Sequence, residues 1–564
     1  MLRLILFLLL LVQLPLRGLA QVPQLVKDLS AGKTDSYFEE SIAFKGRLLF
    51  TMQSRVTGGD FWQLWITDGT ANGTQWLRTF SWNYSPHGFT ILNDKVYFIG
   101  NDTAFGQELW VTDGTNSGTS MVKDIFPGWK DGVSTNPVMF HGSLYFGASD
   151  SVHGIELWKS DGTTSGTQMA VDLFPGTASS NLQELVASDN LLVFTTSYSS
   201  NGRALWISDG SAGGSHSIYG LSGGTPGATL QFLFAVKDKV FFEKRIYQNS
   251  GPPGIFFSVT DGTAAGTVDL MYDLSERPES AVLNDKVYFY GTLNPYGSTN
   301  HAEGLFVTDG TAYGTHLVRG GISYSCFGGN AKSMSLTVFN QKLYFSAGVD
   351  THFRHQLWTS DGTTAGTTMV KDFGPPGTNI LGSPTYLLTA RGRMYMKAWD
   401  EAENRCNVWQ SDGTTSGTTA IKYPGANHST YDLCSELSQT MTVVDSFLYY
   451  GLVYDTASTG IELYRLQTSL AVSELPDKLD KFELYPVPAN QNCNLKCSLQ
   501  SAAIVDMDIV SMDGKVVQNL AHKQQFNSGF TQLSFPTATL PNGVYMLRIK
   551  TNGKSAFRKL VVWH

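Results

Sequence analysis

Short apolar runs, each bounded by glycine, asparagine, aspartate or proline, recur along most of the chain and predict a succession of β-strands. The runs keep a fixed order. Glu108-Leu109-Trp110-Val111-Thr112-Asp113-Gly114-Thr115, followed by Gly118-Thr119, is typical. Its Asp-Gly pair returns at Asp68, Asp113, Asp161, Asp209, Asp261, Asp309, Asp361 and Asp412, at spacings of 45, 48, 48, 52, 48, 52 and 51. A second run precedes each pair, as in Lys95-Val96-Tyr97-Phe98 and Lys342-Leu343-Tyr344-Phe345. A third follows, as in Met121-Val122-Lys123-Asp124-Ile125 and Met369-Val370-Lys371-Asp372-Phe373.

Each unit reads as four strands, here a to d. In the second unit these are Phe89 to Leu92, Lys95 to Ile99, Glu108 to Thr112 and Ser120 to Ile125, with a tight Asn93-Asp94 turn between a and b. Asp-Gly between c and d predicts a type I′ turn, whose two central residues both need positive φ. The b and c runs are apolar almost throughout, so both sheet faces are covered. Four antiparallel strands per ~48 residues, stacked face to face, predict an all-β fold with a large single β-propeller. Leu25 to Leu29 is a d strand with nothing before it, and Ile461 to Tyr464 is a c strand with no d strand after it. One fragment completes the other, which closes a ring of nine blades over residues 21–466.

After Leu466 the pattern changes. Residues 467–481 read as a polar linker, and residues 482–564 carry short strands with turns at Met512-Asp513-Gly514-Lys515 and Asn552-Gly553, a small Ig-like β-sandwich. At the other end, Arg3, the leucine-rich run from Leu4 to Leu14 and Gly18-Leu19-Ala20 predict a signal peptide over residues 1–20. No other stretch is apolar enough for a transmembrane helix, so none is expected in the mature protein. With no cysteine before Cys326, an N-terminal lipoprotein is excluded.

Composition sharpens this picture. Fifty-seven glycines and only 16% charged residues suit a turn-rich extracellular protein. The formal charge is −8, and the leader holds two arginines and no acid, so the mature chain stands at −10 and is unsuited to nucleic acid. The cysteines, Cys326, Cys406, Cys434, Cys493 and Cys497, are odd in number, so at least one thiol is unpaired. Cys406 with Cys434 is the first pair to consider. Cys493 and Cys497 lie too far apart along a strand to bridge.

The repeated phrase resembles the Glu-Leu-Trp-x-x-Asp-Gly-Thr repeats of bacterial secreted proteins, over residues 24 to 466. That resemblance implies architecture and export, and is silent on chemistry. Asp209-Gly210-Ser211, Ser258 and Phe306 depart from the repeat. The end of the chain, with Tyr485-Pro486-Val487-Pro488, Asp513-Gly514-Lys515, Leu540-Pro541-Asn542-Gly543-Val544-Tyr545 and Lys559-Leu560-Val561-Val562, resembles the C-terminal sorting domain of the type IX secretion system. The resemblance implies that the type IX secretion machinery engages residues 482–564. It also implies passage through the periplasm and across the outer membrane of a Gram-negative bacterium, tail removal, and secretion or anchoring at the cell surface on lipopolysaccharide.

Chemistry is harder to find. Each Asp-Gly-Thr loop offers one carboxylate where calcium needs 6–8 oxygens, so calcium is not indicated and no cofactor or metal is expected. Gly220-Leu221-Ser222-Gly223-Gly224 fits Gly-x-Ser-x-Gly but lacks the strand-to-helix setting of a nucleophile elbow. Trp65, Trp110, Trp158, Trp206, Trp358 and Trp409 recur at blade spacing and are assigned to interblade packing. The d–a and b–c connections share one face and vary in length, so binding is expected there. Its candidates are Trp82, Tyr84, His87, Trp129, His153, Tyr198, His352, His355, His428 and Tyr431. The favoured reading is a non-catalytic binding module for a carbohydrate or surface protein. The alternative is a secreted polysaccharide hydrolase or lyase, for which Asp350 and Glu401 are the acids on neighbouring loops, and a third is a structural matrix component.

Overall fold

The computed structural model describes residues 23–29, 37–56, 59–199, 202–220, 228–247, 253–272, 274–293, 302–322, 336–349, 355–373, 384–403, 405–421, 441–453, 461–468, 479–485, 489–499, 501–511, 515–551 and 554–564. Every regular element among them is a β-strand. No helix among the described residues is long and apolar enough to cross a membrane. The chain divides into two compact units, with the main boundary between Gln467 and Thr468.

Among the described residues the first unit holds nine four-stranded antiparallel sheets, each ordered a-b-c-d as the repeat predicts. In blade 1 the strands are Tyr37–Phe44, Arg47–Val56, Gly59–Thr67 and Gln75–Phe80, and in blade 2 they are His87–Leu92, Lys95–Asp102, Gly106–Thr112 and Ser120–Lys123. The ninth sheet is made of Met441–Val444, Phe447–Val453 and Ile461–Gln467, and its outer strand is Gln24–Lys27 from the other end of the chain. Gln24 pairs with Arg465, Leu25 with Tyr464 and Lys27 with Leu463. Consecutive sheets share apolar cores: Phe50 and Leu48 with Leu463 and Tyr449, Phe98 and Val96 with Leu64 and Ile66, Phe146 and Leu144 with Leu109 and Ile99.

The turns depart from the sequence expectation in an informative way. The type I′ geometry belongs to the a–b turns, where Asn93-Asp94 (φ 48° and 58°), Asn284-Asp285 (52° and 60°) and Asn340-Gln341 (48° and 59°) place both central residues at positive φ. In the Asp-Gly loops only the glycine does so, for example Gly114 at φ 90°. These loops are longer, and a closed hydrogen-bond set holds each one. Asp113 Oδ1 accepts the Thr115 amide (2.9 Å) and hydroxyl (2.7 Å), and Thr115 Oγ1 accepts the Gly118 amide (3.0 Å). The Thr119 hydroxyl donates to the Thr115 carbonyl (2.7 Å) and lies 2.7 Å from the Thr112 hydroxyl. The Thr115 hydroxyl holds Asp113 below the usual carboxylate range. The motif is a self-satisfied turn, as Asp-Gly-Thr side chains favour.

The same loops lock neighbouring blades. The Tyr97 hydroxyl of blade 2 reaches the Gly162 carbonyl of blade 3 at 3.5 Å, and Tyr344 reaches Gly413 in the same way at 3.4 Å. A Cβ on Gly162 would sit 2.0 Å from that hydroxyl, so glycine is required by approach as well as by its φ of 92°. The recurring tryptophans lie at blade junctions, as assigned. Lys27, Lys123 and Lys371, from d strands, sit 5.7, 5.6 and 5.7 Å over the rings of Trp65, Trp158 and Trp409 on the following blade.

The glutamate that opens Glu-Leu-Trp fastens the crossover to the next blade. Glu108 accepts the Phe126 amide (3.0 Å), Glu156 accepts Leu173 (2.8 Å) and Ser180 (2.9 Å), and Glu462 accepts Leu29 (2.8 Å). Burial pushes the Glu108 carboxyl up to about 8 from 4.5, against the pull of the Phe126 and Ile125 amides. The folded chain therefore holds a proton that the unfolded chain releases above 4.5. This contribution to stability is expected to fall as pH rises from about 4.5 to about 8 and then to level off. Glu108→Gln should flatten that part of the melting-temperature profile between pH 5 and 9; an unchanged slope would remove Glu108 as its source.

The second unit has a three-stranded sheet (Leu479–Tyr485, Asn492–Leu499, Gly529–Pro536) and a four-stranded sheet (Val516–Phe526, Ala503–Ser511, Gly543–Thr551, Lys554–Val562). They enclose one core containing Leu495, Val505, Ile509, Leu547, Ile549 and Leu560. Arg548 pairs with Asp508 at 2.6 Å. Cys493 and Cys497 are buried free thiols within it, whereas Cys406 of blade 8 is disulfide-bonded, and both Cys326 and Cys434 lie outside the described residues.

Candidate functional site

The a strands of blades 1, 2, 4, 5 and 6 carry a register irregularity against their b strands. In blade 1, Phe38 pairs with Met52 and Ser41 with Phe50, so Glu39 and Glu40 together oppose Thr51 in a β-bulge. A bulge re-aims side chains at the rim of a sheet. Both glutamates thereby line a cleft of about 690 Å³, with Gln53 and Trp62 from the b and c strands of blade 1. Trp82, Asn83, Tyr84 and Ser85 of the d–a crossover line it too, with His87 at the start of the blade 2 a strand, and Asn136 comes from the following crossover.

Each wall is fixed. Glu40 accepts the Gly88 amide at 3.1 and 3.0 Å and the Phe89 amide at 3.1 Å, so its carboxylate serves as a clamp on the entry to blade 2. Glu39 is exposed. Trp62 packs on the core shared by blades 1 and 2 and forms a half-buried floor. The His87 Nδ1–H donates to the Ser85 carbonyl at 2.7 Å, which fixes the orientation of the ring. Ser81 at the start of the crossover donates its amide to the Asn101 carbonyl at 2.9 Å and its hydroxyl to the Asn101 side chain. Trp82 and Tyr84, 66% and 53% exposed, are thus displayed on a pinned loop.

The structure brings three of the ten sequence candidates together here, Trp82, Tyr84 and His87. Trp129 stands on the next crossover and is 74% exposed. His153 has a local partner instead: its Nδ1 lies 3.0 Å from Asp150, whose carboxylate also accepts the Val152 and His153 amides and raises the imidazole's affinity for a proton. His355 pairs with Gly348 in a blade 7 strand, and Tyr198 lies in the b strand of blade 4. His352, His428 and Tyr431 fall outside the described residues, as does Asp350. Glu401, in a blade 8 turn, is not among the cleft residues. Sequence reasoning missed Glu39, Glu40, Gln53, Trp62, Asn83, Ser85 and Asn136. The one legible signal was a pair of adjacent acids inside the run Tyr37 to Phe44.

Two of the repeat departures are accounted for by their contacts. Ser258, in the tryptophan position of blade 5, donates to Asp269 (2.7 Å), which also accepts Lys244 (2.8 Å), and Phe306 is buried in the core between blades 5 and 6. Among the described residues no group of three or more His, Cys, Asp and Glu is placed to hold a metal ion.

Chemically, the cleft offers aromatic faces beside carboxylate and amide groups, with no lysine or arginine among the described residues of its lining. Its volume lies within the range of ligand-binding clefts. It suits a ring with apolar faces and several hydroxyls, and disfavours an anion.

No curated protein matches the chain. Among solved structures it is similar to one of two prolyl endopeptidases studied for inter-domain dynamics, at 12% identity and a TM-score of 0.37 over 67% of this chain and 55% of that one. It is also similar to the β-propeller domain of the Trilobed protease from Pyrococcus furiosus, which has an open velcro topology, at 10% identity and a TM-score of 0.33 over 70% and 100% of the two chains. Oligopeptidase B from Leishmania major gives 10% and 0.34 over 83% and 54%. The chain thus spans about half the length of the two peptidases. Residues 483–563 match the family of secretion system C-terminal sorting domains. The β-sandwich over these residues is therefore a secretion-system C-terminal sorting domain, which implies export of the chain through the type IX system.

Proposed function

We propose that the protein is a non-catalytic, surface-displayed or released binding module whose blade 1–2 cleft recognises neutral or amino-bearing carbohydrate. The observation that supports this most is the joining of Trp62, Trp82 and Tyr84 with Glu39, Gln53, Asn83 and Asn136 around one cleft. Aromatic rings stack on the apolar faces of a sugar, and fixed oxygens and amides take its hydroxyls. Of the two neighbouring acids, Glu40 already has both oxygens on backbone amides, so a glycosidase pair would have to draw on Glu39 alone. The route to the surface completes the proposal. Residues 1–20 act as a leader into the periplasm, 467–481 as a linker whose first residue ends the Ile461–Gln467 strand and whose last three already enter the Leu479–Tyr485 strand, and 482–564 as a tail removed on export, with attachment to lipopolysaccharide.

The test is a titration of the mature protein with neutral, amino-bearing and acidic oligosaccharides, with reducing ends monitored on the same samples. Saturable binding of the first two classes without cleavage is expected, and Trp82→Ala should weaken it at least ~10-fold, the worth of about one stacked ring. Released fragments would establish the hydrolase reading. Preference for acidic sugars, or indifference to Trp82→Ala, would remove the cleft from the account.

A further inference from the structure

The crossover that carries Trp82 is the first of three loops tied to one another along the variable face. Its Ser81 is bonded to Asn101, and Arg78 just before it lies 3.7 Å from Asp102, so it rests on the b–c hairpin of blade 2. The tip of that hairpin presents Phe105, 37% exposed. The hairpin in turn holds the next crossover. Gln107 donates its amide to Asp131 (2.9 Å) and its side chain to the other Asp131 oxygen (3.1 Å), while its carbonyl accepts the Gly132 and Val133 amides at 2.9 and 3.0 Å. Glu108 takes the Phe126 amide at the start of the same loop. Gly106, at φ 66°, lets the backbone at Lys130 approach so closely that a Cβ there would lie 2.4 Å from the Lys130 carbonyl oxygen.

Trp129 stands on this braced loop and is 74% exposed, more than Trp82 at 66%. A tryptophan left in water gives up most of its hydrophobic stabilisation, and a loop with this many anchors does not need Trp129 for its fold. A rigid loop that displays an aromatic face instead reduces the ordering cost of stacking a ligand on it. Sheets packed face to face stand about 10 Å apart in general, longer than one sugar ring, so loops on successive blades suit a chain of sugars rather than a single one.

We propose that the variable face of blades 1 to 3 binds an extended glycan chain, with one end in the cleft at Trp82, a middle unit passing Phe105 and a further unit stacked on Trp129. This rests on the reading of the cleft as a carbohydrate site and adds that its ligand is a polymer. The two are separable by experiment.

The mature protein is titrated calorimetrically with β-1,4-linked glucose, mannose, N-acetylglucosamine and glucosamine oligomers of two to six units. For the sugar that binds, affinity should rise at least tenfold from dimer to hexamer. Trp129→Ala should return hexamer affinity to the dimer value while leaving dimer affinity unchanged, Trp129→Phe should keep most of the gain, and Trp82→Ala should weaken both lengths. Equal affinity for dimer and hexamer overturns the extended site and leaves the cleft standing. So does a hexamer indifferent to Trp129→Ala but sensitive to Trp82→Ala. Binding unaffected by either alanine variant overturns the cleft reading as well. Because Trp129 is largely solvent-exposed, an unchanged melting temperature in its variants verifies that the loss is one of contact.

Discussion

Removal of residues 21–29 from the exported chain is expected to lower its melting temperature sharply and to split one cooperative transition into several. Gln24–Lys27 is the outer strand of the ninth sheet, so the deletion takes the last strand from the blade that joins the two ends of the propeller. Val26 leaves the core it shares with Phe38, Phe50 and Leu463, which costs about 1.5–3 kcal/mol. The strand's pairing and the Leu29 amide on Glu462 add about 1 kcal/mol for each hydrogen bond lost. Together these come to roughly 5 kcal/mol, comparable with the whole net stability of many domains. Glu462, fully buried, is left without the Leu29 donor. The freed edge of Ile461–Gln467 offers unpaired backbone groups to a second chain, so size-exclusion chromatography should show dimers or larger species. A synthetic peptide of residues 21–31 added in trans should restore the single transition. A truncated chain that melts like the intact one and stays monomeric would show that the terminal strand does not hold the blade together.

Deletion of residues 482–564 is expected to abolish delivery to the surface and leave the propeller inside the outer membrane, as read by cell fractionation. Because the tail has its own core, a point variant asks whether export reads a folded surface or a linear signal. Leu547 is fully buried among Val505, Ile509, Ile549 and Leu560, and Leu547→Asp would place an unpaired carboxylate there, at a cost of several kcal/mol. Loss of export in both variants would mean that the folded sandwich is recognised. Loss in the deletion alone would point to the peptide sequence, and normal delivery of the deletion would overturn the sorting assignment.

The repeat was legible because its parts are local. Asp113, Gly114, Thr115, Gly118 and Thr119 satisfy one another within seven residues, so their spacing alone announces a loop. The turn type was not legible, since Asp-Gly favours a two-residue hairpin in isolation, and the added Thr hydroxyl bonds select a longer loop in which only glycine adopts positive φ. The matching fragments at Leu25 and Ile461 announced closure, because an unpaired strand edge needs a partner. The role of Glu108, Glu156 and Glu462 was hidden: their partners, 17 to 433 residues away, are backbone amides, which leave no trace in side-chain spacing.

The candidate site divides in the same way. Trp82, Tyr84 and His87 stand within six residues, on and just after a connection that varies between blades, and that contrast is visible in the chain itself. Gln53, Trp62 and Asn136 join them only when three blades are stacked, and Glu39 and Glu40 line the cleft only because a bulge sets both residues opposite Thr51. By itself, then, the sequence determined the strand order, the blade count, the closure and the sorting tail, since each rests on interactions between residues close in sequence or on a repeated pattern. The tertiary structure decided which loops share a cleft and which aromatic rings remain in water, because that depends on bulges and blade-to-blade hydrogen bonds that no local pattern encodes.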